Sequence, residues 1–143
     1  MKSTILIFLM LASLSTMNSR VFNFDEALSL ARENHQKVLM VFAGSDWCIP
    51  CKKFEKTILE TPEFKEFEEK NLVVLFLDFP ARKKNQLPET QKLHNEMLAK
   101  KYNPSGVFPT ILLLAPDGGL LKEIKFKNQK TSEFIAEITM AQQ

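Results

Sequence analysis

Apolar residues fall into short runs, and their spacing assigns an element to most of this chain. Phe24, Ala27, Leu28, Leu30 and Ala31 recur at helical intervals, which predicts a helix over Phe24 to Asn34 capped by Asn23 or Asp25. Lys37 to Ala43, KVLMVFA, is a nearly unbroken apolar run and reads as a buried strand. Leu72 to Asp78, LVVLFLD, reads the same way, at a central position covered on both faces. Between them, Cys51 to Leu59 carries Phe54, Ile58 and Leu59 on one helical side. Thr61-Pro62-Glu63 then supplies a cap and a proline at a first helical position, starting a second helical piece that runs to Lys70.

The second half continues the alternation. Phe79 to Leu87 is polar and basic and reads as a loop. Pro88 to Tyr102 predicts a helix with Leu93, Met97, Leu98 and Tyr102 turned inward. Asn103 to Pro109 is rich in breakers, and Thr110 to Ala115 is the next strand. Pro116-Asp117-Gly118-Gly119 is a tight turn from which Leu120 to Phe126 returns as a hairpin strand. Thr131 to Met140 closes the chain as an amphipathic helix with Phe134, Ile135 and Ile138 apolar and Thr131 or Ser132 as cap. The order α-β-α-α-β-α-β-β-α predicts one α/β domain, with no internal repeat, low-complexity tract or linker.

The first residues fall outside this pattern. Lys2 followed by the apolar stretch Ile5 to Leu14 and a small-residue region up to Ser19 reads as a secretory signal over residues 1–19, cleaved between Ser15 and Ser19. The domain then occupies residues 20–143. The apolar stretch is short for a membrane span, and an uncleaved anchor is the alternative. No cysteine lies near the cleavage region to carry a lipid. An exported protein of this kind is expected in the periplasm.

Charge and composition narrow the function. The 143 residues carry 19 Lys+Arg against 17 Asp+Glu, a balance that argues against a nucleic-acid partner. The 12 phenylalanines, against one Tyr and one Trp, are expected to fill the core. The basic run Arg82-Lys83-Lys84 reads first as a solvated loop and second as a site for an acidic partner.

The candidate chemistry lies in Trp47-Cys48-Ile49-Pro50-Cys51, which holds both cysteines of the chain. Exported proteins use cysteines mostly in pairs far apart in sequence. A disulfide across C-x-x-C closes a tiny loop and constrains the unfolded chain little, so its use is expected to be chemical. Cys48 is expected just before the first helical turn, where unpaired N–H groups and the helix dipole favour thiolate over thiol. That predicts the lower pKa and the nucleophile's role for Cys48, with Cys51 one turn further in, more buried, as the resolving thiol. Pro50 at an early helical position costs no hydrogen bond and fixes the ring. A static disulfide and a zinc site are the alternatives. Zinc needs two further ligands, and only His35 and His94 are present, with no ligand spacing between them.

The element order, with Trp47-Cys48-Ile49-Pro50-Cys51-Lys52 after the first long strand and Val107-Phe108-Pro109-Thr110 before the hairpin, resembles the thioredoxin superfamily. It is most similar to exported bacterial thioredoxin-like proteins and to the periplasmic thioredoxin-like domain of transmembrane disulfide reductants, the latter through Asp46-Trp47-Cys48 and Cys51-Lys52-Lys53-Phe54-Glu55. The resemblance covers Phe24 to Met140. It implies a thioredoxin fold, a central mixed β-sheet flanked by helices with a helix at the N-terminus. It implies a thiol–disulfide oxidoreductase that needs no cofactor and no metal. It also implies that Pro109 is a cis-proline facing the cysteines, with Phe108 offering backbone groups to an extended substrate. An ordinary trans proline is the alternative. Trp47 is either a flat substrate platform or a packing residue, and Asp46 reads as an exposed loop carboxylate.

Two departures matter. The family's common buried acid, six residues before the first cysteine, is Phe42 here, which leaves Glu55 and Asp78 as candidate proton acceptors. Ile49-Pro50 contains no His, which leans the pair towards reduction. The expected partners are disulfide-containing protein substrates and a membrane thiol–disulfide electron carrier, with a monomer as the working state. A disulfide oxidase or isomerase, or a non-catalytic binding module on the same fold, are the rival readings.

Overall fold

The computed structural model describes residues 20–142, so the expected signal over residues 1–19 lies outside the described residues. The elements follow the apolar pattern closely: α1 (Phe24–Glu33), β1 (Lys37–Ala43), α2 (Ile49–Phe54), α3 (Pro62–Asn71), β2 (Leu72–Asp78), α4 (Glu89–Tyr102), β3 (Thr110–Leu114), β4 (Leu120–Ile124) and α5 (Thr131–Ala141). A π-helical turn, Glu55–Leu59, continues α2, and a 3₁₀ turn, Lys83–Asn85, sits in the basic loop. Caps are local. The Asn23 side chain accepts the Glu26 N–H at 3.0 Å, and Thr61 Oγ1 accepts that of Phe64 at 3.3 Å. At α5 the cap is Lys130, while the Thr131 hydroxyl donates to the Thr57 carbonyl at 3.0 Å and ties α5 to the π-helical turn.

The sheet is mixed, in the order β2-β1-β3-β4, with β1 parallel to β2 and antiparallel to β3. β1 is therefore one of the two inner strands, the one that leads into the site, and it is buried on both faces. Leu39, Val41 and Ala43 face α2, α3 and α5, with both cysteines, Phe54, Phe64 and Phe134. Val38, Met40 and Phe42 face Ala27, Leu28 and Ala31 of α1 and Leu98 of α4. No helix among the described residues is long and apolar enough to cross a membrane.

Two placements and one strand boundary are corrected. β2 is an edge strand of the four, not a central one. Its apolar run reflects cover on both faces, and helices give that cover whatever the strand's place in the sheet. Its outer edge is partly closed by Val21, whose N–H donates to Val74 and whose carbonyl accepts from Phe76, at 3.1 and 2.9 Å. The hairpin strand also stops at Ile124, short of Phe126. The second placement is the rotation of α4. Leu98 is buried as expected, but Leu93 and Met97 are 55% and 62% exposed. The N-terminal half of the inward face is polar: Asn95 is buried and donates to the Asp78 carbonyl at 3.0 Å, Gln91 donates to Asn95, and His94 Nε2 accepts the Phe24 N–H at 3.1 Å. A helix docked through side-chain amides hides its buried face from a reading based on apolar spacing.

Glu68 of α3 is a buried carboxylate, 1% exposed, held by Lys65 Nζ at 3.0 Å. Burial pushes its pKa above the ordinary 4.5, and Lys65 only partly offsets this. The folded state therefore binds this proton more tightly than the unfolded chain. The stability it contributes is complete below pH 4.5 and is lost as pH rises through the folded value. Glu68→Gln is expected to raise stability at neutral pH and to flatten that decline. Urea denaturation of both proteins across the range checks it.

Candidate active site

β1 ends at Ala43, and four residues, Gly44 to Trp47, lead from the sheet to Cys48. Cys48 caps α2: its Sγ accepts the Cys51 N–H at 3.3 Å, and its carbonyl accepts that of Lys52 at 3.1 Å. Pro50 lies in the first turn of α2, where no donor is lost. Cys48 and Cys51 are joined by a disulfide, with Cα atoms 5.2 Å apart, so this is the oxidised form. Both residues are 3% exposed. The expected difference in burial is absent, because in the closed ring both sulfurs lie in the same buried cluster. Among the described residues, no group of His, Cys, Asp and Glu is arranged to hold a metal.

The Phe108–Pro109 peptide is cis. The loop that carries it is shaped by a buried amide: Asn103 donates to the Val107 carbonyl at 2.9 Å and accepts the Val107 N–H at 3.3 Å. The Thr110 hydroxyl adds a bond to the same carbonyl at 2.8 Å. Phe108 meets Trp47 edge to face, ring centroids 5.4 Å apart, which brings the proline loop to the lip of the cysteine loop. The residues picked from the sequence, Trp47, Cys48, Pro50, Cys51, Phe108 and Pro109, thus belong to two loops in contact through Trp47 and Phe108. Exposed apolar side chains flank the buried pair in the chain, Trp47 at 47% and Ile49 at 77%, and the proline loop exposes Val107 at 55%.

Phe42 is fully buried and starts a string of rings. It meets Phe79 at 6.2 Å, Phe79 meets Phe108 at 5.4 Å, and Phe108 meets Trp47. Where the resemblance leads one to expect a buried acid, this chain packs an aromatic that supports the proline loop through Phe79. The two candidate proton acceptors are both engaged. Glu55 forms an ion pair with Arg20 at 2.9 Å, and Asp78 accepts the Ser45 N–H and hydroxyl at 2.9 and 2.6 Å.

This geometry places the cysteine ring after the C-terminal end of β1 and a cis-proline loop beside it. The thioredoxin-like family profile matches residues 17–116. The chain belongs to the thioredoxin-like family. It is 31% identical over 119 residues to the disulfide bond reductase DsbH of Chlamydia pneumoniae, covering 83% of this chain and 70% of that protein. Its fold superimposes on a solved DsbH oxidoreductase with a TM-score of 0.77 and 28% identity, over 86% of this chain and 85% of the other. The C-terminal domain of Neisseria meningitidis DsbD, oxidised, shares the fold at a TM-score of 0.55 and 22% identity, over 85% and 98% of the two chains.

Against this family background, three residues matter that sequence reading passed over or undervalued. Asp46 is not an idle surface carboxylate. It accepts the N–H groups of Ala81 and Arg82 and the Asn85 side-chain amide, each at 2.9 Å. These bonds, the one from Ala81 foremost, hold its pKa down at about 2. Asn103 shapes the proline loop, and its only sequence signal was an amide at a helix end. Gly44 gives room for the Trp47 ring, which lies over it while Nε1 donates to the Phe79 carbonyl at 2.7 Å. A Cβ at Gly44 would overlap the indole. Gly44→Ala is expected to lift Trp47 off the loop and break that bond. Trp47 is the only tryptophan, so a red-shifted emission spectrum of the folded variant reads the change directly.

Proposed function

We propose that this thiol–disulfide oxidoreductase reduces disulfides in proteins outside the cytoplasm, with Cys48 as nucleophile and Cys51 as resolving thiol. The observation that carries it is the Cys48–Cys51 ring at the start of α2, with the cis Phe108–Pro109 loop in contact beside it. The reductase character of the DsbH relative supports the direction.

The chemistry follows from the placement. In the reduced protein, the Cys51 N–H that now faces Cys48 Sγ and the N-terminal end of the α2 dipole favour its thiolate. That thiolate attacks one sulfur of a substrate disulfide, forming a Cys48–substrate disulfide and expelling the other substrate sulfur as a thiolate, which takes up a proton. Cys51, deprotonated, then attacks Cys48 Sγ. The ring seen here forms, and the second substrate thiol leaves. Two electrons pass from the pair to the substrate, and no cofactor takes part. The exposed rim of Trp47, Ile49 and Val107, with the backbone at Phe108 and Pro109, gives an extended segment an apolar seat and backbone partners.

The same reading puts the protein outside the cytoplasm, sent there by residues 1–19. Its spent disulfide is then recharged by a membrane thiol–disulfide carrier, since cytoplasmic donors cannot reach it. The test is the reduction potential of the pair, from equilibration with glutathione or a reference thioredoxin. A value near roughly −270 mV is expected; one near roughly −120 mV would overturn the direction and make the protein an oxidant.

A further inference from the structure

The basic run Arg82-Lys83-Lys84 is not a free loop. The stretch that holds it is bonded to three consecutive residues leading into Cys48. Ser45 bonds the Asp78 carboxylate at its start. Trp47 Nε1 donates to the carbonyl of Phe79. Asp46 accepts the N–H groups of Ala81 and Arg82 and the amide of Asn85. The Gln86 amide folds back on the carbonyls of Pro80 and Arg82, at 3.0 and 3.3 Å. The backbone of Arg82 is therefore fixed one residue away, through Asp46, from the exposed ring of Trp47.

The side chains behave differently from that backbone. Arg82, Lys83 and Lys84 are exposed, and among the described residues none is ion-paired. Lys52 and Lys53, on the helix that carries Cys51, are likewise exposed and unpaired. Asp46, whose carboxylate accepts two backbone N–H groups and the Asn85 amide, stays ionised and offsets part of the Arg82 charge, which leaves the lysines in excess. The chain as a whole carries a formal charge of only +2, yet these five cations outside ion pairs lie on the loop bonded to Asp46 and on the helix that carries Cys51.

We propose that the Asp46-anchored loop Arg82–Lys84 is a specificity arm, which selects protein disulfides flanked by acidic residues. The inference rests on the exchange reading above and adds the substrate class. The apolar rim and the backbone at Phe108 bind an extended segment with little demand on its sequence. Discrimination has to come from elsewhere, and fixed charge beside the reacting sulfur supplies it. It speeds encounter with acidic segments and disfavours basic ones, and salt weakens both effects.

The test uses the reduced protein and three disulfides: uncharged hydroxyethyl disulfide, a cystine peptide with Asp on both sides of each sulfur, and the same peptide with Lys there. At low salt the acidic peptide is expected to oxidise the protein about tenfold faster than the basic one. That ratio should collapse towards one in roughly 0.5 M salt and in the triple variant Arg82→Ser, Lys83→Ser, Lys84→Ser. Asp46→Asn separates anchoring from charge. It makes the site more positive, so a purely electrostatic effect would raise the ratio, whereas a released arm lowers it. Equal rates for the two peptides in the wild type, with hydroxyethyl disulfide still reduced, overturn the inference and leave the exchange reading standing. An undiminished ratio in Asp46→Asn overturns the anchored arm. No reaction even with hydroxyethyl disulfide overturns both readings.

Discussion

Cys48→Ser is expected to abolish disulfide reduction, while Cys51→Ser leaves a protein that reacts once and stays joined to its substrate. The asymmetry comes from the position of each sulfur on α2. Cys48 Sγ caps α2 and accepts the Cys51 N–H, so on the proposed mechanism removing it removes the nucleophile. Cys51 is held against Cys48 by the turn between them, and well-oriented intramolecular groups react with effective concentrations of about 10⁵ M or more. Without Cys51, release of the mixed disulfide depends on dissolved thiols many orders of magnitude more dilute. Insulin reduction should fall to background in both variants. Mass spectrometry should find covalent adducts only with Cys51→Ser, and a folded Cys51→Ser protein that captures nothing would count decisively against the exchange mechanism.

Phe54→Ala is expected to cost about 3–5 kcal/mol, the usual range for emptying a buried aromatic site. Phe54 is 1% exposed and ends the helix that carries the cysteines. Its ring meets Phe126 and Phe134, each at 5.3 Å, and Phe134 meets Phe64 at 6.1 Å. The cavity would therefore open between α2, α5 and the end of β4, where no single side chain can close it. A loss of that size takes a large share of the roughly 5–15 kcal/mol that holds a typical domain together. Urea denaturation should show a lower midpoint with an unchanged slope. Leu93→Ala gives the contrast. Leu93 is exposed on α4, so its loss should change stability by no more than about 0.5 kcal/mol.

That contrast also shows where pattern reading stops. Phe54 and Leu93 look alike in sequence, each an apolar residue in a helical run. What separates them is the partner surface. α2 docks through apolar residues, so spacing found its inner face. α4 docks through Leu98 and, over its first half, through Gln91, His94 and Asn95, and the Asn95 bond reaches the Asp78 carbonyl 17 residues away in sequence. A polar residue that finds a buried partner cannot be told from a solvated one until the partner is in place.

The resemblance to the thioredoxin superfamily pointed to the mixed sheet and to the role of Phe108-Pro109; by itself the sequence determined the elements, their order, the α/β class and two loops, Trp47 to Cys51 and the breaker-rich stretch that ends at Pro109. Each of these is written in local terms. Apolar period sets burial within an element, a proline after a cysteine sets the start of α2, and breakers set the proline loop. The tertiary structure alone decided that β2 lies at an edge and that Phe42 supports Phe108 through Phe79. It also turned Asp46 from a surface carboxylate into the anchor of the basic loop, through bonds to residues 35 and 36 positions away. Such bonds form between segments that meet only after the sheet has assembled. Their strength depends on distance and direction, quantities that spacing along the chain does not carry.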